Sequence, residues 1–331
     1  MAWSRNSNAM GLMVSTSSDA HAWSRRSFLT LTGAAALSAC AKTGAGSSNH
    51  TLFAGDQRGG SKAVLEAAHQ LARIPYRIEW SSFPNAAPLL EALNAGAIDT
   101  GIGGDAAFVF AFGAGAKLKA IGAQKYEGRG SVLVVRADSP IRTLADLPGK
   151  RIATPRGSVS HNFILAALEA HHQPYDAVRF AFLSPQDGQA ALQSGAVDGW
   201  AIWDPNATLA ERQGARIIRD GQGLVPSYAL LFGSDPAIAT KRPLLVDYRR
   251  RLYAGWDWAA ANGSAYAELL SRESGIPADI WRQITSVTRR LPAGIDEQLI
   301  GDQQKTADRY FRAGVINKKI DVRKGFDTSF G

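Results

Sequence analysis

The sequence predicts an α/β fold built from two lobes of similar construction with mainly parallel sheets. From Thr51 onward, short β-like runs alternate with helical stretches, and one sequence pattern recurs after 99 residues. A length of 331 residues suits two lobes, and 45% hydrophobic with 20% charged residues is the composition of an ordinary globular chain. Disordered and collagen-like classes are therefore excluded.

The first 39 residues have the pattern of an export signal. Arg25 and Arg26 precede an apolar stretch, Leu29 to Leu37, that is too short to span a bilayer as a helix. The arrangement resembles a twin-arginine signal, and its last residues resemble a lipobox that ends at Cys40. This resemblance implies cleavage before Cys40 and lipid attachment to its thiol. The alternative is a chance arginine pair and an inert free cysteine.

The charge balance changes when this leader is left out. The whole chain has 37 basic and 29 acidic residues, whereas residues 40–331 have 34 and 28, a net charge of +6. The remaining basic clusters, at 249–251, 289–290 and 318–319, are short and scattered, without interleaved aromatic residues. A nucleic-acid partner is therefore not expected, and the lone cysteine excludes an intramolecular disulfide.

The elements follow in order from a small, polar tether at residues 40–50. Strands are predicted over 51–54, 77–80, 98–100, 118–123, 132–136, 151–154 and 197–202. Helices are predicted over 61–73, 87–95, 160–172 and 186–194, with Gly96 and Gly195 as C-caps.

The repeat links two parts of this alternation. Residues 92–99 recur as residues 191–198, and the register holds as far as Asp105 against Asp204, so each copy is displaced by 99 residues. The turn that begins at Arg58 resembles the turn that begins at Arg156 with a slip of one residue. Two copies predict two lobes that face each other rather than a solenoid, which would need at least three.

Four loops follow strands of the repeat and precede helices, at 55–60, 101–105, 157–161 and 200–204. This position, beyond the carboxyl ends of the strands, is where open α/β sheets bind ligands. Backbone N–H groups and helix dipoles at four converging helix N-termini suit an anion.

Catalytic and cofactor motifs are not found. The sequence has no phosphate loop, nucleophile elbow or His-Glu-x-x-His pair. Gly101 to Ala106 matches a dinucleotide fingerprint, but it lies in the second β-α unit and lacks the following ribose-binding acid. Asp99 and Asp198 precede matched strands and are interpreted as turn or cap residues. No enzyme activity, cofactor or metal is predicted.

Several segments resemble the solute-binding proteins of ABC importers for aliphatic sulfonates. The similar segments are Phe83-Pro84, Leu90 to Asn94, Gly104-Asp105, Gly157-Ser158, Ser160-His161-Asn162, Trp200 to Pro205, Thr306 to Asp308 and Lys318 to Arg323. The resemblance covers residues 51–325 and implies a type II periplasmic-binding fold, with a ligand cleft between two α/β lobes. It also implies a monomer in the periplasm or on the outer face of the membrane that delivers solute to an inner-membrane ABC permease.

The resemblance assigns ligand-binding roles to nine residues, and Gly60 is added as a backbone donor. The nine are Gln57, Arg58, Gly104, Asp105, Ser158, Ser160, His161, Trp203 and Asp204. Ile102, Gly103 and Val159 stand where sulfonate binders commonly carry hydroxyl residues, which implies a less polar, roomier cleft. A bulkier or aromatic sulfonate, or a sulfate ester, then competes with taurine as the solute.

A sulfonate has three acceptor oxygens and no donor, so its site must supply donors. The candidates are the backbone N–H groups of Gly60, Gly104 and Ser158, the hydroxyls of Ser158 and Ser160, the Gln57 amide and Arg58. Trp203 would cover the organic tail, with Trp200 as a second choice. Asp105 and Asp204 would repel an anion, so capping of their own helices is the favoured interpretation over ligand contact.

The predicted first lobe comprises residues 51–135 and 228–331, and the second lobe residues 136–227. Hinges are expected near residues 127–137 and 222–231. A binding protein for nitrate, taurine or a thiamine precursor stays open as an alternative. An enzyme on the same fold, such as a pyrimidine-forming one, is the other.

Overall fold

The computed structural model describes residues 50–57 and 59–330. The twin-arginine segment, Cys40 and Arg58 therefore lie outside the described residues. The described residues belong to one compact unit. None of the helices in the described part of the chain combines the length and the apolar character needed to cross a bilayer.

Eleven strands and eleven α-helices are described. The strands are β1 (Thr51–Gln57), β2 (Arg77–Phe83), β3 (Thr100–Gly104), β4 (Leu118–Gly128), β5 (Ser131–Val135), β6 (Arg151–Thr154), β7 (Arg179–Phe182), β8 (Gly199–Trp203), β9 (Arg216–Asp220), β10 (Tyr228–Ser234) and β11 (Thr288–Ala293). The helices are α1 (Ser61–Ala67), α2 (Ala86–Asn94), α3 (Asp105–Gly113), α4 (Val159–Ala170), α5 (Pro185–Ser194), α6 (Asn206–Arg212), α7 (Asp235–Thr240), α8 (Arg242–Ala261), α9 (Gly263–Ser274), α10 (Ala278–Val287) and α11 (Glu297–Arg312).

The strands form two mixed sheets. The first has the order β11-β4-β10-β3-β1-β2 and the second has the order β7-β6-β8-β5-β9. In the first sheet β1 is parallel to β2 and β3, and β10 is antiparallel to β3. In the second sheet β6 is parallel to β7 and β8, and β5 is antiparallel to β8. The predicted α/β class with mixed sheets is confirmed, but the expectation of mainly parallel pairing is wrong, because five of the nine described strand pairs are antiparallel.

The predicted repeat appears in both sheets. The strands β3 and β8 begin at Thr100 and Gly199 and end at Gly104 and Trp203, so the displacement of 99 residues holds at both ends. The aspartate before each strand accepts a backbone hydrogen bond from the neighbouring strand. Asp99 accepts from Phe53 N at 2.8 Å and Asp198 from Arg151 N at 2.7 Å. Both aspartates are structural residues at strand starts, as their matched positions indicate.

The chain passes twice between the sheets. It leaves the first sheet between β4 and β5, at residues 129–130, and returns between β9 and β10, at residues 221–227. The first crossover falls within the expected hinge at 127–137, and the second, apart from Gly221, falls within the expected hinge at 222–231. The assignment of residues 131–135 to the first lobe is wrong for strand pairing, because β5 lies in the second sheet between β8 and β9. The lobe limits otherwise stay predictions.

The burial of the β5 side chains explains why this strand lies inside the second sheet. Leu133 and Val135 pack into an apolar cluster on one face of the second sheet, and Val132 and Val134 pack into a cluster on the other face. All four are fully buried, which alternating side chains achieve only in a strand covered on both sides.

Candidate ligand-binding site

The ends of β1 and β3 form the first part of the site. These strands are parallel neighbours, with Ala54 beside Thr100 and Gly55 beside Gly101. Beyond this pairing, the Gln57 amide donates a hydrogen bond to the Ile102 carbonyl at 2.9 Å. The half-buried Gln57 side chain therefore lies across the edge of the sheet where both strands end.

The turn from β1 into α1 is closed by its own backbone. Gly60 donates its N–H to the Gln57 carbonyl at 2.7 Å, and a Cβ at Gly60 would lie 2.6 Å from Asp56 Oδ1. Asp56 accepts from Ser61 N at 2.7 Å, and burial raises the pKa of its carboxyl to about 6. The expected role of the Gly60 N–H as a ligand donor is corrected, because the turn uses this donor.

The end of β3 offers space but few hydroxyls. A Cβ at Gly104 would meet no atom within 4 Å, whereas one at Gly103 would lie 3.1 Å from Ala86 and from the ring of Phe232. Packing therefore explains why Gly103 replaces a hydroxyl residue. The open face of Gly104 leaves its backbone approachable.

Asp105 is directed into the protein. Its carboxylate accepts from Tyr228 N at 3.2 Å, from the Gln303 amide at 3.0 Å and from Ala106 N at 2.7 Å. The residue is 3% exposed, and burial raises the pKa of its carboxyl to about 7. It is the first residue of α3 rather than the N-cap, which is Gly104. Its contacts tie α3 to β10 and α11.

The second sheet contributes the turn from β6 into α4, which corresponds in the repeat to the turn from β1 into α1. Ser158 is the N-cap, and its Oγ accepts from His161 N at 3.2 Å. Its N–H donates to the Pro155 carbonyl at 3.3 Å, so the hydroxyl proton, not the N–H, is available to a ligand. Ser160 is completely buried and donates to Ser131 Oγ at 2.9 Å, which joins α4 to the first residue of β5.

The His161 ring lies among aromatic side chains. Its ring centroid is 4.7 Å from that of Phe180 and 5.1 Å from that of Phe182. Nδ1 accepts from Gly157 N at 3.2 Å. Burial, followed by the charge of Arg156, lowers the pKa of His161 to about 4, so the ring is neutral at pH 7. His161 thus faces the aromatic cluster beside β7.

The two tryptophans of β8 differ in their burial. Trp200 is completely buried in the core of the second sheet, whereas Trp203 is only half-buried at the last position of the strand. Trp203 is therefore the tryptophan of this strand that a ligand can reach, and Trp200 is a core residue.

Asp204 is held by its own helix and by a crossover residue. Its Oδ1 accepts from Thr208 N at 3.0 Å, from Thr208 Oγ1 at 2.7 Å and from Arg129 Nη2 at 3.0 Å. The favoured capping interpretation agrees with these contacts. The N-cap is Pro205 rather than Asp204, so the helix begins one residue later than the capping interpretation implies. The Asp204–Pro205 peptide bond is cis.

The helix α11 connects the two strand-end regions. Gln303 reaches Asp105 beside the first sheet, and Tyr310 donates to the Ser158 carbonyl at 2.9 Å beside the second. Sequence reasoning missed Gln303, Tyr310 and Arg129. The only sequence signal was that Thr306 to Asp308, a segment of the resemblance, lies on the same helix. No metal-binding cluster occurs among residues 50–57 and 59–330.

Comparisons with known proteins identify the family. Residues 82–265, more than half of the chain, match the NMT1/THI5-like family. The chain belongs to the NMT1/THI5-like family. A putative aliphatic sulfonates-binding protein of Escherichia coli (strain K12) is 34% identical to this family member over 308 residues, covering 89% of this chain and 94% of the relative. The predicted resemblance is thereby confirmed.

Solved structures agree with this assignment to the NMT1/THI5-like family. The periplasmic aliphatic sulphonate binding protein SsuA from Escherichia coli is 31% identical, with a TM-score of 0.75 over 84% of this chain and 97% of its own. The alkanesulfonate-binding protein SsuA from Xanthomonas axonopodis pv. citri, bound to MOPS, is 30% identical, with a TM-score of 0.77 over 84% and 98%. The predicted periplasmic-binding-protein fold is confirmed.

Proposed function

We propose that this protein is the extracytoplasmic solute-binding component of an ABC importer and that it captures an organosulfonate between the strand ends of its two sheets. The observation that carries the proposal is the similarity to an aliphatic sulfonates-binding protein along 89% of the chain. The positions of Gln57, Gly104, Ser158 and Trp203 at the carboxyl ends of β1, β3 and β8 and at the start of α4 support it. The bound solute would then be presented to an inner-membrane permease.

The contacts divide the candidate residues into two groups. Gln57, Arg58, Gly104, Ser158 and Trp203 are retained as ligand contacts, with Arg58 proposed from its sequence position alone. Gly60, Asp105, Ser160, His161 and Asp204 each have at least one polar group engaged inside the protein and are assigned to hold the site in shape.

The donors in the first group match a sulfonate. The Ser158 hydroxyl and the Gly104 backbone can donate, and α4, with 12 residues, directs its positive dipole end at the same place. Hydrogen bonds to a charged acceptor contribute roughly 1.5–3 kcal/mol each, so a few of them retain a small anion. Trp203 would bury the organic tail.

The lining favours a sulfonate with a sizeable tail. Ile102 and Val159 are apolar, and Gly103 has no room for a side chain beside Ala86 and Phe232. MOPS, the ligand of the Xanthomonas relative, carries a morpholine ring on its propanesulfonate. We propose that ring-bearing or longer alkanesulfonates bind more tightly than taurine, whose amine would need an acceptor.

The hydroxyl of Ser158 provides the direct test of this site. Ser158→Ala should weaken binding of pentanesulfonate to the full-length protein by about tenfold, because a donor to the charged group is removed. Calorimetry measures the affinity. Ser184→Ala is the matched control, because Ser184 is also an N-cap whose Oγ accepts at N3 but lies at the start of α5. Equal affinities of the Ser158 variant and the wild type would remove Ser158 from the site.

We also propose export by the twin-arginine route and lipid attachment at Cys40. Cys40→Ser should move the protein from the membrane fraction to the released fraction, since the thiol is the atom that would carry the lipid. Labelled palmitate incorporation in cells checks the same point, with Arg25→Lys/Arg26→Lys as the export control. Unchanged membrane association of the Cys40 variant would contradict the anchor.

A further inference from the structure

A cavity of about 480 Å³ lies at the edge of the second sheet. It opens where β7 and α4 face the end of α11 and the residues that follow it, and Arg156, His161, Phe182, Arg312 and Val315 form its wall. The volume falls within the range of small-molecule pockets. Of the retained sulfonate contacts that the structure describes, Gln57, Gly104, Ser158 and Trp203, none lines this cavity.

One wall of the cavity is aromatic. Phe180 and Phe182 stack with centroids 5.7 Å apart and planes 9° apart. Phe182 is 43% exposed, which is a high fraction for a phenylalanine. Leu165 and Val178, both buried, continue the apolar surface inward. The exposed ring provides a flat apolar face on which another ring can stack.

The charge beside this wall is positive. The Arg156 guanidinium lies 5.2 Å from the Phe182 ring centroid, and Arg156 has no carboxylate partner within residues 50–57 and 59–330. Arg312 also faces the cavity, with 55% of its side chain exposed while it pairs with Glu169. Asp176 adds one acid to the lining, and Glu169 is shared between Arg312 and Arg309, so three guanidinium groups outweigh two carboxylates at this end of the sheet.

We propose that this cavity is a second binding site, for an aromatic monoanion of the benzenesulfonate class. The ring of the ligand would stack on Phe182, and its anionic group would pair with Arg156. An uncharged aromatic compound would leave the guanidinium without a partner, and an anion without a ring would leave the phenylalanine face exposed. The site is separate from the proposed sulfonate cleft and does not depend on it.

The test locates a labelled ligand directly. Crystals of the protein soaked with 4-bromobenzenesulfonate should show a bromine anomalous peak between Phe182 and Arg312. In calorimetry, Phe182→Ala and, separately, Arg156→Gln should each weaken this binding at least tenfold. Val287→Ala is the matched control, because Val287 is a comparably exposed apolar residue, at 40%, at the end of α10.

Two results would overturn the second site. One is a bromine peak only beside Gly104 and Ser158, and the other is unchanged affinity in both cavity variants. The Ser158→Ala variant tests the sulfonate cleft separately, and it should leave the bromine peak at Phe182 in place. Loss of pentanesulfonate binding and loss of the cavity peak are therefore independent observations.

Discussion

Single residues at the strand ends differ in whether the protein already satisfies their polar atoms. Asp105 accepts three hydrogen bonds through both of its carboxylate oxygens, whereas Asp204 accepts three through Oδ1 alone and its buried Oδ2 has no partner among the described residues. Both carboxylates are held by the protein. Ser158 accepts through Oγ but keeps its hydroxyl proton to donate. Because buried polar groups must be paired, this difference separates residues that support the site from those that can bind an anion.

The buried side chain of His161 should make the stability of the protein depend on pH. Its pKa is lowered from 6.5 to about 4 in the folded protein, chiefly by burial. At His161 the folded state then binds fewer protons than the unfolded state between about pH 4 and 6.5, so the contribution of this residue to stability should rise with pH across that window. Asp56 and Asp105, whose pKa values are raised to about 6 and about 7, contribute in the opposite direction. Protonation would also place an N–H at Nδ1, where Gly157 N already donates.

Denaturant unfolding at pH 4.5, 5.5 and 7 measures this dependence. The His161→Gln variant should show a weaker loss of stability on acidification than the wild type. His171→Gln, at the exposed end of the same helix, is the control. Identical pH profiles for the wild type and the His161 variant would contradict the assignment.

Among the helices and strands, the sequence predicts the ones whose limits are marked by nearby residues. The strand β6 occupies residues 151–154 as predicted, and Gly195 is the left-handed C-cap of α5. The helix α1 stops at Ala67 rather than Arg73, and His69 and Arg73 take left-handed conformations beyond it. Its polar and apolar spacing alone cannot show this break.

The elements missed from the sequence depend on distant partners. The strands β7, β9, β10 and β11 were not predicted, and β10 becomes the partner of β3 and β4 only after a long excursion through the second sheet. The contacts of the site residues are equally distant in the sequence. Asp105 contacts Gln303 across 198 residues and Asp204 contacts Arg129 across 75, so the sequence left cap and ligand roles open.

The turn between β6 and α4 gives a prediction at the element scale. Gly157 has a φ of +69°, and a Cβ there would lie 2.5 Å from the ring of Phe110 on α3. Gly96 has a φ of +71° but open space around it. Gly157→Ala and Gly96→Ala should both lose about 1–2 kcal/mol of stability through backbone strain, and Gly157→Ala should lose more because of the ring.

Thermal or denaturant unfolding of both variants measures the difference. Adding Phe110→Ala to the Gly157 variant should reduce the extra loss, since the clash partner is removed. Equal destabilisation at Gly157 and Gly96 would show that the contact between α3 and the β6–α4 turn is not tight.

At the scale of the molecule, two crossovers and one helix connect the sheets. The crossovers at residues 129–130 and 221–227 join the sheets covalently, and Arg129 pairs with Asp204 and Glu211 of the second sheet's segment. From α11, Arg309 reaches Glu169 at 2.7 Å and Asn162 at 2.8 Å on α4. We propose that the lobes close about these crossovers when solute binds.

The most direct test of the central claim is calorimetry of the full-length protein against a panel of anions. We expect saturable binding of alkanesulfonates and of MOPS, weaker binding of taurine, and little or no binding of nitrate and inorganic sulfate. The Ser158→Ala variant should lose affinity across the whole sulfonate series. Absence of sulfonate binding, or a preference for nitrate over every sulfonate, would contradict the proposed capture of an organosulfonate.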